Sequence, residues 1–268
     1  MFDVLPWCRL TAVRGLSFGV KSGECFGLLG INGAGKTTTF RILTGDEIPT
    51  AGSAGLLDAW LTNSRSDFLQ NIGYCPQFDS IIAQLTGREL LTLMCRVRGV
   101  RSAEIPAEVA RWSQLLGIQE YLDREAGAYS GGNKRKLNVA MALVAEPPIL
   151  FLDEPSTGVD PVARRRLWRV IQTVQQNGQS VVLTSHSMEE CETLCDRLGI
   201  MVNGQFRCFG SVAHLKNKFA QGFTLLTRLT VSSEEEEAET EQTAVKLKML
   251  VEAQLGTVTV RDEHRVGL

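Results

Sequence analysis

The stretch LLGINGAGKTTTF, residues 28–40, constrains the fold of this chain more than any other. LLG is apolar and strand-like, Gly30, Gly33 and Gly35 interrupt regular structure, and KTTTFRILTG resumes at helical spacing. The order is strand, loop, helix. Such a turn leaves the consecutive backbone N–H groups of residues 32–37 converging at the positive end of a helix dipole, where an anion fits. Gly30, Gly35, Lys36 and Thr37 match the phosphate-loop pattern, in which the lysine reaches the β- and γ-phosphates and the hydroxyl binds Mg²⁺. Taken without its neighbours, the stretch is also compatible with a glycine-rich turn, so the rest of the chain decides.

Short apolar runs bounded by turn residues recur: CFGLLG from 25, NIGYC from 71, PILFLDE from 148, SVVLTSH from 180 and LGIMVNG from 198. They are continuous rather than alternating, which predicts strands buried on both faces, as in a parallel α/β sheet. Between Tyr74 and Phe151 the period becomes helical, in GRELLTLMCRVRG, AEVARWSQLLG and GGNKRKLNVAMALVAE, and predicts a helical insertion over about 78–145. NGQFRCFG reads as a hairpin, and AVRGLSFGVKSGE near the start as another antiparallel element.

Three of the predicted strands end in chemistry. Asp153 and Glu154 close PILFLDE, where one carboxylate can hold Mg²⁺ and the other polarise an attacking water. Taken alone such an acidic pair is most often a helix cap or turn. His186 ends VVLTSH within reach of a γ-phosphate at the same sheet edge, and doubly wound sheets bind ligands at the carboxyl ends of their strands. A lone histidine there is usually structural. Gln77, in YCPQFD, follows another strand, and its amide can touch Mg²⁺ or the water; by itself it is a plain turn residue after Pro76. In YSGGNKRKL, Ser130, Gly131 and Gly132 open a helix with a hydroxyl and bare N–H groups, a second anion site. One ATP cannot occupy two such sites far apart in the chain, so the simplest resolution is that this motif caps a γ-phosphate held by another subunit or domain.

The formal net charge is −2 and no basic stripe is present, which argues against a nucleic-acid partner. Seven scattered cysteines, Cys8, Cys25, Cys75, Cys95, Cys191, Cys195 and Cys208, lie mostly in apolar segments and read as buried reduced thiols of a cytosolic environment. No 18-residue apolar run exists, and the N-terminus lacks a basic start followed by an apolar region. The expectation is a chain that neither crosses a membrane by itself nor carries a secretory signal.

The order GINGAGKTT, YCPQFD, YSGGNKRK, ILFLDEP, STGVD, TSH resembles the nucleotide-binding domain of an ATP-binding cassette transporter. LTGREL, YSGGNKRKL, LDEPSTGVDP, TSHSMEECE and MVNGQFRCFGS are more specific and resemble the A subfamily, whose full-length members are large lipid exporters or flippases, and its second nucleotide-binding domain in particular. The resemblance implies an α/β P-loop NTPase core, with an antiparallel β subdomain and a helical signature subdomain. It implies that ATP is held by Asn32, Gly33, Ala34, Gly35, Lys36, Thr37 and Thr38, and Mg²⁺ by Thr37, Gln77 and Asp153. Glu154, His186 and Gln77 would act in catalysis. Ser130, Gly131, Gly132 and Asn133 would face the ATP of a partner domain, with Asp160 at the dimer interface. Partners would be a second nucleotide-binding domain and transmembrane domains, at the cytoplasmic face of a membrane, with lipid transported but not bound here.

Tyr129 and Asn133 stand where the usual signature has Leu and Gln, a departure that the A subfamily tolerates. For the aromatic that stacks on adenine, Trp7 is the nearest candidate and Phe2 a weaker one, because the N-terminus reads as cut short or replaced. The cassette is expected to span 1–222. FTLLTRLTV, an acidic run over about 232–242 that reads as a solvated linker, a helix from about Ala244 and TVTVRDEH resemble the start of the subfamily's small α/β regulatory domain, 223–268. Two other classes stay open: a stand-alone ATPase subunit that assembles with separate membrane proteins, and an ATP-binding fragment inactive on its own. A non-transport cassette protein, such as a translation factor, would carry two cassettes and basic segments, neither present here.

Overall fold

The structure, a computed structural model, describes residues 11–219 together with Lys246 and Met249, both helical and exposed. The chain divides into two compact units, Met1–Ala220 and Gln221–Leu268. Phe2, Trp7, Cys8, the FTLLTRLTV segment, the acidic run, most of the helix expected from Ala244, and TVTVRDEH lie outside the described residues.

In chain order the elements of the first unit are β1 (Cys25–Leu29), α1 (Lys36–Leu43), β2 (Gly55–Leu56), β3 (Ala59–Trp60), α2 (Arg65–Gln70), β4 (Ile72–Cys75), α3 (Gly87–Val97) and α4 (Ile105–Leu116). They continue with α5 (Gly131–Leu143), β5 (Ile149–Asp153), α6 (Pro161–Gln176), β6 (Ser180–Ser185), α7 (Met188–Leu194), β7 (Arg197–Val202), β8 (Gln205–Ser211) and α8 (Val212–Phe219). Six strands form one sheet in the order β4-β5-β6-β1-β7-β8. The first five are parallel and only β8 runs antiparallel, against β7.

The continuous apolar runs have the expected cause. Ile149 and Phe151 of β5 pack with Phe26, Leu28, Phe40 and Val182 on one face of the sheet. Leu150 and Leu152 pack on the other with Val181, Leu183 and Leu198. Successive strand side chains alternate between faces, so burying both faces demands an unbroken apolar string. The second of these cores also takes in Leu90 and Leu91 of α3, Val109 and Trp112 of α4 and Leu137 of α5. The helical block at 78–145 thus shares its interior with one side of the sheet. Thr86 and Glu89 start α3 with a reciprocal capping box.

The hairpin expected at NGQFRCFG is β7–β8, turned by Asn203 and Gly204 at φ 50° and 75°. That two-residue turn with both φ positive matches the twist of the strands it joins. The antiparallel element expected at AVRGLSFGVKSGE is not a strand: residues 12–24 form no ladder. Leu16, Phe18 and Val20 alternate onto the core as a strand's residues would, but the backbone is held to the sheet by Arg14 N–H donating to Gly204 O at 2.8 Å. Periodicity reports which side chains are buried, and without a neighbouring edge in register it does not make a ladder. Antiparallel pairing occurs instead in β7–β8 and in the short β2–β3 hairpin.

Among the described residues no helix is long and apolar enough to cross a membrane. Cys25, Cys75, Cys95, Cys191 and Cys195 are buried free thiols, and Cys208 is partly buried.

Candidate functional site

Parallel pairing brings the chemically equipped strand ends to one edge. In register, Leu29 at the end of β1 lies beside Ser185 at the end of β6, and Asp153 at the end of β5 lies beside Thr184. The glycine loop, the acidic pair and His186 therefore leave the sheet side by side. β1 sits between β6 and β7, which the chain reaches on its two sides, the place where α/β sheets open a crevice for ligands.

Asn32, Gly33, Ala34 and Gly35 form the loop, and Lys36, Thr37 and Thr38 begin α1. Gly35, the residue before α1, has φ 101°, and a Cβ there would lie 2.6 Å from Ala12 O, so only glycine fits both the backbone and the space. No side chain caps this helix start. Lys36 is buried, and its Nζ donates to Gly30 O at 2.6 Å and Ile31 O at 3.3 Å and lies 3.9 Å from Glu154 Oε1. The loop thus wraps a buried cation.

Asp153 and Glu154 are both buried. Thr184 Oγ1 donates to Asp153 Oδ1. Asp153 Oδ2 is buried without a hydrogen-bond partner. Burial pushes the Asp153 carboxyl up from its ordinary range; the Thr184 hydroxyl opposes this, the neighbouring Glu154 charge adds to it, and Arg135 and Lys36 oppose it. Glu154 adopts φ 49°, uncommon for a residue with a side chain, and its N–H donates to Thr184 O at 3.2 Å and Thr184 Oγ1 at 2.9 Å. Its Oε2 accepts from Thr157 Oγ1 at 3.2 Å and lies 3.4 Å from His186 Nδ1. His186 is more than half exposed, so Glu154 stands between a buried lysine and an imidazole open to solvent.

Gln77 follows β4 and is partly buried; its carbonyl accepts from Arg135 Nη1 at 3.2 Å. Ser130, which caps α5 by accepting from Asn133 N–H at 3.3 Å, and Gly131 are exposed, while Gly132 and Asn133 are partly covered. Among the described residues no hydrogen bond or ion pair joins these four to the glycine loop. Tyr129, before Ser130, is buried and donates its hydroxyl to Tyr121 O. Asp160 is exposed and caps α6, its Oδ1 accepting from Val162 N–H at 3.1 Å and Ala163 N–H at 3.0 Å, bonds that hold its carboxyl below the usual range.

Two residues absent from the sequence reading are central here. Thr184 ties Asp153 and Glu154 together, and its only signal was a hydroxyl inside an apolar strand. Arg135 lies in the KRK of the YSGGNKRKL string and is buried among backbone carbonyls.

The family model described as ABC transporter matches residues 13–157. The chain is 58% identical over 219 residues to the mouse protein named Retinal-specific phospholipid-transporting ATPase ABCA4, an alignment covering 81% of this chain and 9% of that one. It thus spans about a tenth of the length of that relative. A solved structure titled as the ATP binding subunit of an ABC transporter superposes with a TM-score of 0.73 at 26% identity, over 78% of this chain and 87% of that one. A dimeric ATP-binding cassette in a post-hydrolysis state, bound to ADP and Pi, superposes with a TM-score of 0.69 at 19% identity, over 79% and 92%, and shares the fold. With the family model matching more than half of its residues, this chain belongs to the ABC transporter family.

Proposed function

We propose that this chain is the ATP-binding and ATP-hydrolysing domain of a transporter that moves lipid across a membrane, working as one of a head-to-tail pair. The observation that carries the reading is the cluster at the sheet edge: Lys36, Glu154 and His186 in contact, beside an Asp153 whose Oδ2 is buried and unpartnered. A buried carboxylate oxygen left without a donor costs free energy unless a ligand claims it.

The donor set fits Mg²⁺, a hard cation that prefers oxygen: the Thr37 hydroxyl, the Gln77 amide oxygen and Asp153. When bound, the ion neutralises charge developing between the β- and γ-phosphates. The N–H groups of the loop from Asn32 through Gly33, Ala34 and Gly35, with those of Lys36, Thr37 and Thr38, hold the phosphates, and Lys36 adds its charge. Glu154 takes the proton of the attacking water, and His186 and Gln77 orient the γ-phosphate and that water. Ser130, Gly131, Gly132 and Asn133 close on the ATP of the partner domain, with Asp160 at the interface. The exposure of Ser130, Gly131 and Asp160 supports this, as does the dimeric state of a structural relative.

Lipid as cargo rests on the name of the mouse relative, a phospholipid-transporting ATPase, and on the subfamily strings. On this reading the domain, 1–222, sits at the cytoplasmic face of a membrane beside transmembrane domains. Residues 223–268 begin a small regulatory domain. The lipid touches the membrane segments and not this chain.

ATPase rate measured against protein concentration tests the reading. A paired enzyme accelerates more than linearly, whereas a linear dependence overturns the two-domain mechanism. Glu154→Gln should lower hydrolysis about 10²–10⁴-fold with nucleotide binding retained, since the amide keeps the shape but accepts no proton. A variant that hydrolyses like the parent assigns the water to another residue.

A further inference from the structure

Arg135 is buried on α5, five residues after Ser130, and each of its N–H donors meets a backbone carbonyl. Nε donates to Pro155 O at 3.2 Å. Nη1 donates to Pro76 O and to Gln77 O, the latter at 3.2 Å. Nη2 donates to Asp153 O and to Glu154 O, the latter at 2.9 Å. One planar fork thus joins the loop after β4 to the turn after β5, which no other hydrogen bond among the described residues does. A guanidinium has five donors in a fixed plane, and a lysine ammonium has three at a point.

We propose that Arg135 is a positioning residue for the metal-binding half of the site: it fixes the backbone that carries Gln77, Asp153 and Glu154, and ties their placement to the helix that opens with Ser130 and Gly131. The inference rests on the ATP and Mg²⁺ reading above. Its consequence is that the exposed motif, which faces a partner's nucleotide, and the buried carboxylates, which face this chain's own, belong to one rigid connection. Asn138, on the same side of α5, adds a separate link, its Nδ2 donating to Asp79 Oδ1 at 2.8 Å and its Oδ1 accepting from Ser80 Oγ at 3.3 Å. That link survives a change at Arg135 and keeps the loop on the helix.

The test uses this chain, with ATP affinity measured in Mg²⁺ and in a chelator. Arg135→Lys should leave metal-free ATP affinity within about twofold, because Lys36 and the glycine loop are untouched. It should reduce the gain in affinity that Mg²⁺ provides by about 10- to 100-fold, the effect typical of groups that orient metal ligands. Equal losses in both arms, or no change in either, overturn the positioning role and leave the ATP reading intact. A parent chain that binds no ATP in either arm overturns the ATP reading itself, and one that gains nothing from Mg²⁺ overturns the metal assignment and this inference with it. Amide hydrogen exchange of the parent needs no variant. Mg²⁺ with ATP, compared with ATP in chelator, should slow exchange together in residues 76–80, 131–138 and 153–157. Slowing confined to 153–157 overturns the proposal.

Discussion

Two helices of this chain open on glycines at motifs expected to meet phosphate, and they open in opposite ways. α1 begins after Gly35 with no side-chain cap, and its first residue is a buried lysine closed onto Glu154. α5 begins after Ser130, whose own hydroxyl satisfies the N–H of Asn133. Its buried cation, Arg135, is taken up by backbone carbonyls rather than turned toward the helix opening, and a Cβ on Gly131 would meet nothing within 4 Å. The first is a cradle complete within the chain: donors, charge and neighbouring carboxylates converge on one place. The second lies at the surface, with Ser130 and Gly131 exposed. On the proposed pairing, the place where buried charge and uncapped donors converge is the half of a composite site that one chain supplies alone.

The sharpest way to break this contrast is Gly131→Asp. Open space around Gly131 lets the fold accept the side chain, and on the proposed pairing its charge and volume would stand where a partner's γ-phosphate docks. Hydrolysis and ATP-driven association should be lost, and ATP binding to the monomer should be unchanged. A fall in monomer affinity, measured by calorimetry, would place the motif on this chain's own nucleotide.

Lys36→Ala probes the other half. Removing the buried cation should weaken monomer ATP binding by about 1.5–3 kcal/mol, the value of a charge-assisted contact. An unchanged dissociation constant would dismiss the phosphate-loop assignment. Mixing this variant with Gly131→Asp can collect both lesions at one composite site and leave the other intact, so partial recovery of activity supports the opposed arrangement.

Asp153→Asn should show the smallest effect, on stability. The folded pKa of Asp153 is raised above its unfolded value, so the folded state holds this proton more tightly. Stability from this group is present below the unfolded value and is lost as pH rises through the folded one. An amide at this position does not titrate, so Asp153→Asn removes this dependence. Parent stability relative to the variant should therefore fall as pH rises through the folded value, a trend that melting temperatures of the two measured across pH will show. A stability difference between parent and variant that stays constant across pH would contradict this account.

The strand ends were legible because each carries its signal locally: an apolar run, then a residue of unusual chemistry. Asp153, Glu154, His186 and Gln77 all stand at such ends. Arg135 was not legible, because its carbonyl partners lie on loops 18 to 59 residues away in sequence and a carbonyl leaves no trace in residue type. Thr184 was hidden for the same reason, and residues 12–24 were misread because alternation in sequence records burial and not pairing.

By itself the amino-acid sequence determined the glycine loop, the parallel strands and the ordered motifs, since these follow from backbone sterics, periodicity and the chemistry of single residues. Only the tertiary structure decided that Asp153 Oδ2 is left unpartnered, that Glu154 stands between Lys36 and His186, and that Arg135 spans two loops. Those are properties of distance and enclosure. They arise when parallel register brings separate strand ends to one edge and packing removes water from around them, and neither condition is written at any one position of the chain.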